Sequence, residues 1–227
     1  MAICYGIFES SCWYCNSGKT YRIHLESWKE KSDTLDLFLR RGFRRNGELF
    51  YRPIPELSCC NLRAIRVPVA TFQPTRSQRR ALRKVVHRIT VETVYSDFRQ
   101  EDYELFLDYQ MRVHKENPGK WSVKEYRRCY VNTAFHTIHQ RYYLDGKLVA
   151  IGVLDQDQEY LSSVYFFYAK VEGGVSLGTV GALMEIDYAK AHGIPYYTLG
   201  LYCETCPKLA YKAAFGPYQT FVDEEWI

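Results

Sequence analysis

The sequence contains no apolar run approaching the roughly 20 residues that a membrane-spanning helix needs, so no such span is expected. Its first residues, Met1-Ala2-Ile3-Cys4-Tyr5, lack the basic and apolar regions of a secretory signal, and the expected location is cytoplasmic. Internal repeats and low-complexity tracts are absent as well. With 227 residues, of which 47% are hydrophobic, the chain has enough material for a buried core, so disorder is not expected. Cysteine is the exception to this list of scarcities. Eight cysteines occur, but disulfide-dense scaffolds are usually short and poor in core residues. Reduced thiols or metal ligands fit this chain better.

The formal net charge of +4 conceals an asymmetry. Residues up to Tyr95 carry 17 Lys/Arg against 8 Asp/Glu, or +9, whereas the remainder carries 13 against 18, or −5. The first part is therefore expected to meet an anionic partner. The pattern changes at the same place. Up to about residue 90, short apolar stretches are broken by Gly, Pro and Cys, and residues 1–90 read as a small basic, Cys-containing module. Residues 91–227 read as a second domain. Its acidic start after Ser96-Asp97 and the capping spacing of Ser122-Val123-Lys124-Glu125 predict helix over much of 96–135. Asp145-Gly146 between two β-rich runs predicts a hairpin, and Tyr160–Tyr168 predicts another strand. A Gly-bearing loop then leads to a helix over Thr179–His192, ended by Gly193, and to a strand at 195–201. The fold class is α+β, a mixed sheet with a β-α-β unit appended to a meander.

This order resembles the GNAT-like acyltransferase core, in which the loop before the helix cradles a pyrophosphate. Val175-Ser176-Leu177-Gly178-Thr179 keeps only the last glycine of that superfamily's loop pattern, so coenzyme A is not expected. A closer resemblance is carried by ordered motifs along the chain. They are Arg41-Gly42-Phe43-Arg44-Arg45-Asn46-Gly47, Tyr51-Arg52-Pro53, Cys59-Cys60, the stretch from Phe72 to Arg80, Asp145-Gly146-Lys147, Leu161-Ser162-Ser163-Val164-Tyr165 and Cys206-Pro207-Lys208. Together they resemble the arginyl-tRNA-protein transferases and their bacterial leucyl relatives. One departure is Ala169-Lys170, where that family commonly has Asp-Pro.

The resemblance implies that the free α-amine of a protein beginning with Asp or Glu attacks the ester joining an amino acid to aminoacyl-tRNA, giving a degradation signal. Such an ester is already activated, so no cofactor is required for the chemistry; orientation, deprotonation of the ammonium and oxyanion stabilisation suffice. Arginine is the favoured donor residue, with leucine as the alternative.

Several candidate residues follow. Arg76, Arg79, Arg80, Arg83, Lys84 and Arg88 form a run without an acid, spaced for one helix face, and are expected to bind tRNA phosphates rather than to serve as a solvated face. Lys208, Tyr211 and Lys212, at i, i+3 and i+4, are expected to grip the terminal nucleotides. Arg40, Arg41, Arg44 and Arg45 form a second cluster that suits either the acceptor's carboxylate or phosphates. Acceptor binding is assigned to Arg41, Arg44 and Arg45. Asp155, at a strand end, is the candidate for holding or deprotonating the ammonium, with Ser163 and Tyr165 beside it on a shared strand face.

Cys12-Trp13-Tyr14-Cys15 and Cys59-Cys60 have metal-ligand spacing, and the resemblance associates such a quartet with an iron-sulfur cluster, zinc being the alternative. Cys203 and Cys206 receive no metal, and His114, His136 and His139 receive no role. Two competing readings are a small-molecule N-acetyltransferase, weakened by the degraded loop, and a non-catalytic RNA-binding protein with a metal knuckle. The second leaves the C-terminal half without a purpose.

Overall fold

The computed structural model describes residues 4–12, 14–15, 18–26 and 33–227. Chain order is β1 (Cys4–Ser11), β2 (Lys19–Glu26), α1 (Asp33–Arg40), β3 (Arg44–Asn46), β4 (Leu49–Pro53), β5 (Arg63–Pro68), α2 (Arg76–Arg83), β6 (Ile89–Tyr95), α3 (Gln100–Tyr109), α4 (Val123–Tyr130), β7 (Thr137–Leu144), β8 (Lys147–Gln156), β9 (Tyr160–Tyr168), α5 (Leu177–Ala191), β10 (Tyr196–Tyr202), α6 (Pro207–Ala210), β11 (Gln219–Val222) and β12 (Glu225–Trp226). Among the described residues the strands form two sheets, ordered β1-β2-β4-β3 and β12-β11-β5-β10-β9-β8-β7-β6. Strand β5, at 63–68, pairs in the larger sheet with strands that follow residue 90, so the division at residue 90 is not a division between sheets.

Local chemistry accounts for the predicted elements. Asp145 and Gly146 both adopt positive φ, 52° and 79°, as the tight turn between β7 and β8 demands. Ser122 and Glu125 form a reciprocal capping box at α4. The helical stretch before it is broken, because Lys115 turns left-handed (φ 59°) after one π turn at Gln110–His114. Gly193 (φ 68°) ends α5, and the Ile194 N–H returns to the Ala189 carbonyl.

The larger sheet is covered on both faces. On one, α5 sets Ala182, Leu183, Ile186 and Ala189 against Val67, Leu154 and Leu161, and α2 packs on α5. On the other, α3 and α4 surround Phe106, which touches the rings of Trp121, Tyr126, Tyr130 and Phe167 at centroid distances of 5.0–5.5 Å. Burying a ring of this size contributes roughly 1.5–3 kcal/mol. Arg141, fully buried on β7, ties this layer by donating to both oxygens of Asp102 at the start of α3. The smaller sheet packs with α1 around Leu35, Phe38, Phe50 and Tyr160, which brings β3 against β9.

Candidate active site

Strands β9 and β10 run parallel for only three pairs, the last being Thr198 with Ser162. Beyond it β10 shifts register against β5 at Gly200, whose φ of +89° favours glycine, and the two strands part. Two cations enter the gap. Arg44, buried at the start of β3, donates through Nη1 to Ser162 Oγ (3.1 Å) and Thr198 Oγ1 (2.6 Å), and through Nη2 to the Ser163 carbonyl. Lys212, also buried, donates through Nζ to the Leu201 carbonyl at 2.7 Å. A Cβ built on Gly200 would lie 3.5 Å from both Arg44 Nη2 and Lys212 Nζ, so the cations flank one space. Neither makes an ion pair among the described residues. Burial lowers both pKa values, and with the Arg44 charge it brings Lys212 down to about 7.

The neighbouring Arg45 behaves oppositely. Alternation along β3 sends it to β8, where Nε and Nη2 grip Asp155 Oδ2 (2.5 Å) and Oδ1 (2.7 Å), and Thr137 Oγ1 donates to the same Oδ1 at 2.6 Å. Both side chains are almost fully enclosed. Both oxygens of Asp155, expected to hold or deprotonate an ammonium, and the guanidinium of Arg45, expected to contact the acceptor, are thus engaged with each other within the fold. The pair is a strut joining the two sheets. Arg41 is exposed with its carbonyl bonded by Arg52, and Arg40 is exposed and paired with Glu159 at 2.7 Å. The four-arginine cluster thus divides into four separate environments.

Strand β9 departs from the simple alternation expected of it. Val153 pairs with Tyr165 but Leu154 pairs with Ser163, so Val164 is an extra residue. This bulge puts Ser163 and Tyr165 on opposite faces, contrary to simple alternation. Ser163 faces α5, where its hydroxyl supports the charged form of Glu185. Tyr165 faces α3, with its hydroxyl 2.8 Å from Gln110 Nε2 and 3.1 Å from His114 Nε2. Burial pushes the Tyr165 phenol up to about 12 and lowers His114.

Beside the parted strands, a cavity of about 310 Å³ opens between α2 and the start of α5, lined by Gln78, Arg80, Lys84, Ser176, Thr179 and Tyr211 among others. Thr75 and Gln78 cap α2 reciprocally, and Gln78 also donates to the Ala214 carbonyl, which fixes that helix against the wall. Arg76, Arg79, Arg80, Arg83 and Lys84 are all exposed. Helix α2 ends at Arg83, so Arg88 lies in the following turn, where it pairs with Asp145. Helix α5 starts beside the cavity, at Ser176 and Thr179, without a side-chain cap. Tyr211 lines the cavity, and both Lys208 and Tyr211 are exposed, whereas Lys212, expected to share their face, is buried.

The Sγ atoms of Cys12, Cys15, Cys59 and Cys60 all lie within 4.8 Å of one another. Cys12 to Cys60 is 3.7 Å, Cys15 to Cys59 is 3.3 Å and Cys59 to Cys60 is 3.8 Å. Trp13 lies outside the described residues. The turn is fastened by Cys12 N–H to the Gly18 carbonyl and Cys59 N–H to the Lys19 carbonyl. A Cβ at Gly18 would come within 2.4 Å of Cys59 Cβ, so only glycine allows this approach. Desolvation and the adjoining thiols push Cys59 up to about 11, and Cys60 is raised too. Four crowded thiols of this kind form a donor set in which a cation can be held.

Residues 101–222 match the family profile described as "Arginine-tRNA-protein transferase, C terminus", and residues 10–80 match its N-terminus counterpart. The chain belongs to the arginine-tRNA-protein transferase family. An aspartate/glutamate leucyltransferase from Methylobacillus flagellatus is 34% identical over 83% of this chain and 75% of its own length. Arginyl-tRNA--protein transferase 2 of Arabidopsis thaliana is 38% identical over 54% of this chain and 24% of its own. A solved C-terminal domain, described as from a lysylphosphatidylglycerol synthetase of Agrobacterium fabrum, superposes with a TM-score of 0.50 at 14% identity, over 70% of this chain and 57% of that one. That likeness is one of fold.

In this family member the crevice includes groups that sequence reasoning passed over. Thr198 shares Arg44 with Ser162, and Tyr197 donates to Glu185 Oε2 on α5. Glu185 had a legible signal: it is a carboxylate within a buried stripe that also holds Ala182, Ile186 and Ala189. No helix among the described residues is long and apolar enough to cross a membrane.

Proposed function

We propose that this chain transfers an amino acid, arginine in the first instance, from aminoacyl-tRNA to the α-amine of a protein or peptide beginning with Asp or Glu. The observation that carries this reading is the pair of buried cations, Arg44 and Lys212, which flank Gly200 without a carboxylate. Buried charges without a counterion destabilise a fold, and an acidic side chain entering the gap supplies the missing charge. A basic or neutral N-terminal residue does not.

The donor fits the second opening. Arg80, Lys84 and the uncapped start of α5 favour phosphates at the cavity, and exposed Tyr211 offers a ring for a terminal base. The remaining arginines of α2, Arg76, Arg79 and Arg83, extend that basic surface towards the rest of the tRNA. We assign exposed Lys208 to the same contact. Ser163 borders the gap where the ester carbonyl and the amine meet, and the Arg45–Asp155 strut holds β3, and with it Arg44, at that point. Since the ester is activated, neither coenzyme A nor another cofactor takes part, and the work is that of positioning and proton transfer.

The cysteine quartet serves a structural ion. The four thiolates match the ligand number of an iron-sulfur cluster or of tetrahedral zinc. Cys12 and Cys60 pack against Cys203, Cys206 and Leu201, so an ion there steadies the end of β10 next to Lys212. The product in this reading is a degradation signal made in the cytoplasm.

The test is transfer from labelled Arg-tRNA and Leu-tRNA to peptides beginning with Asp, Glu or Lys. Product with acidic acceptors and none with Lys is expected. Absence of product from both donors would remove the reading. A leucyl donor is favoured by one finding, that leucyltransferases match this chain over 75% and 79% of their own lengths. Product from Leu-tRNA alone would decide for it.

A further inference from the structure

Glu185 stands apart from the other buried carboxylates. Asp155 is neutralised by Arg45 and Asp102 by Arg141, each through two or more hydrogen bonds. Glu185, 1% exposed on the sheet-facing side of α5, makes no ion pair among the described residues. Tyr197 donates to its Oε2, and Oε1 has no direct hydrogen-bond partner among the described residues. Gly152 on β8 makes room for it, because a Cβ there would lie 2.4 Å from Oε1. A buried carboxylate without a counterion is costly to the fold, which sets Glu185 apart from a residue kept for packing.

Its one link to the transfer gap is Ser163. The carbonyl of that residue points along the sheet into the gap and accepts from Arg44, while its side chain turns from the edge of the gap towards α5, beside Glu185 and Tyr197. The bulge at Val164 makes this possible by turning Ser163 towards α5.

We propose that Glu185 is a positioning residue and proton acceptor for the transfer reaction, receiving the proton of the acceptor's α-ammonium through the Ser163 hydroxyl. The inference rests on the transfer reading above. The ammonium loses one proton to Ser163, whose own proton passes to Glu185. The freed nitrogen lone pair forms the C–N bond at the ester carbonyl. As the C–O bond breaks, a second proton leaves nitrogen for the departing ribose oxygen, and protonated Glu185 returns its proton to solvent. Amide, free tRNA 3' hydroxyl and one released proton balance the step.

Burial, opposed by Tyr197 and Ser163, pushes Glu185 up to about 7, so it exchanges a proton in the neutral range. The titratable groups that sense its charge are Tyr197 on β10, Tyr142 on β7 and Tyr211 after α6, and no cation contributes to its shift. Glu185 must be ionised to accept the proton, so turnover rises as pH rises through that region.

The experiment compares wild type with Glu185→Gln, which keeps an acceptor for Tyr197 and cannot ionise. Turnover at saturating tRNA and peptide is expected to fall at least about tenfold, with KM for both substrates and the melting temperature not impaired, and with the acid limb of the pH profile lost. Wild-type turnover with the wild-type profile in Glu185→Gln overturns the proposal while the transfer reading stands. Absence of transfer by wild type with either donor overturns both. Should Glu185→Gln fail to fold, Ser163→Ala and a carbon-13 titration of the wild-type glutamate carboxyls decide it. The expected results are loss of the acid limb and a carboxyl titrating near neutrality; an unchanged profile, or a Glu185 carboxyl titrating in the ordinary range, overturns it.

Discussion

Arg44 and Arg45 are consecutive residues of one short strand, equally buried, and opposite in their electrostatics. Arg45 meets Asp155 with two hydrogen bonds and shares that carboxylate with Thr137. Arg44 meets only hydroxyls and a carbonyl, and has Lys212 rather than an acid across Gly200. A buried ion pair that is complete asks for no ligand and acts as scaffold. A buried cation pair without an anion is a site waiting for one. Position in sequence separates the two by one residue, and only the pleat of β3 decides which sheet element each reaches.

Breaking the complete pair is expected to have the largest effect. Arg45→Ala leaves Asp155 charged in a closed interior, and the loss of one partner from a buried pair costs about 3–5 kcal/mol. Urea unfolding should show that loss for Arg45→Ala and for Asp155→Ala, with transfer disappearing only as the folded fraction does. A stable Arg45→Ala variant with normal affinity for peptides would contradict the assignment of scaffold.

Relieving the incomplete pair is expected to act in the opposite direction. Lys212→Met removes one of two like charges and fills the space with a side chain of similar length, and urea unfolding near neutral pH should show a more stable protein. Transfer to Asp-initiated peptides should nevertheless fall. The pH dependence has a fixed sign. Lys212 has a folded pKa of about 7 against 10.5 when unfolded, so between these values the unfolded chain holds the proton and the folded chain does not. Its contribution to stability is fully present above the unfolded value and is lost as pH falls through about 7. The advantage of Lys212→Met over wild type should therefore shrink as the pH is raised from 7. An advantage that grows in that direction would show that Lys212 is not buried as a strained cation.

The same contrast explains what could be read from the sequence. The Asp145-Gly146 turn, the Ser122 cap and the Gly193 stop are local, and their chemistry is complete within a few residues. The roles of Arg44, Arg45 and Asp155 depend on partners more than 100 residues away, so an arginine run looks the same whether it is solvated, paired or stranded. The single extra residue at Val164 leaves no compositional trace, and the alternation of Ser163 and Tyr165 consequently misplaces them. Lys212 was legible as a cation on a short helix but not as an inward one, since the turn from α6 into Tyr211–Ala214 changes its direction.

The smallest expected effect belongs to the exposed arginines of α2, and it tests whether uncompensated charge at the surface follows the logic of the interior. Arg79, Arg80 and Arg83 make no ion pair among the described residues, and only Arg88, beyond the helix end, has an acid partner. In water, an unpaired surface cation carries little strain, so replacing these three by Gln should leave urea unfolding almost unchanged. Their effect should appear in RNA binding. Each phosphate contact releases counterions and adds about 0.7–0.9 to the slope of log affinity against log salt. Arg79→Gln, Arg80→Gln and Arg83→Gln together should lower that slope by about 2–3 for charged tRNA, with turnover at saturating tRNA preserved because the gap between β9 and β10 is untouched. The measurement is tRNA binding over a series of salt concentrations. An unaltered slope would make Arg79, Arg80 and Arg83 a solvated face and leave Lys84 with the start of α5 as the candidate contact with the donor.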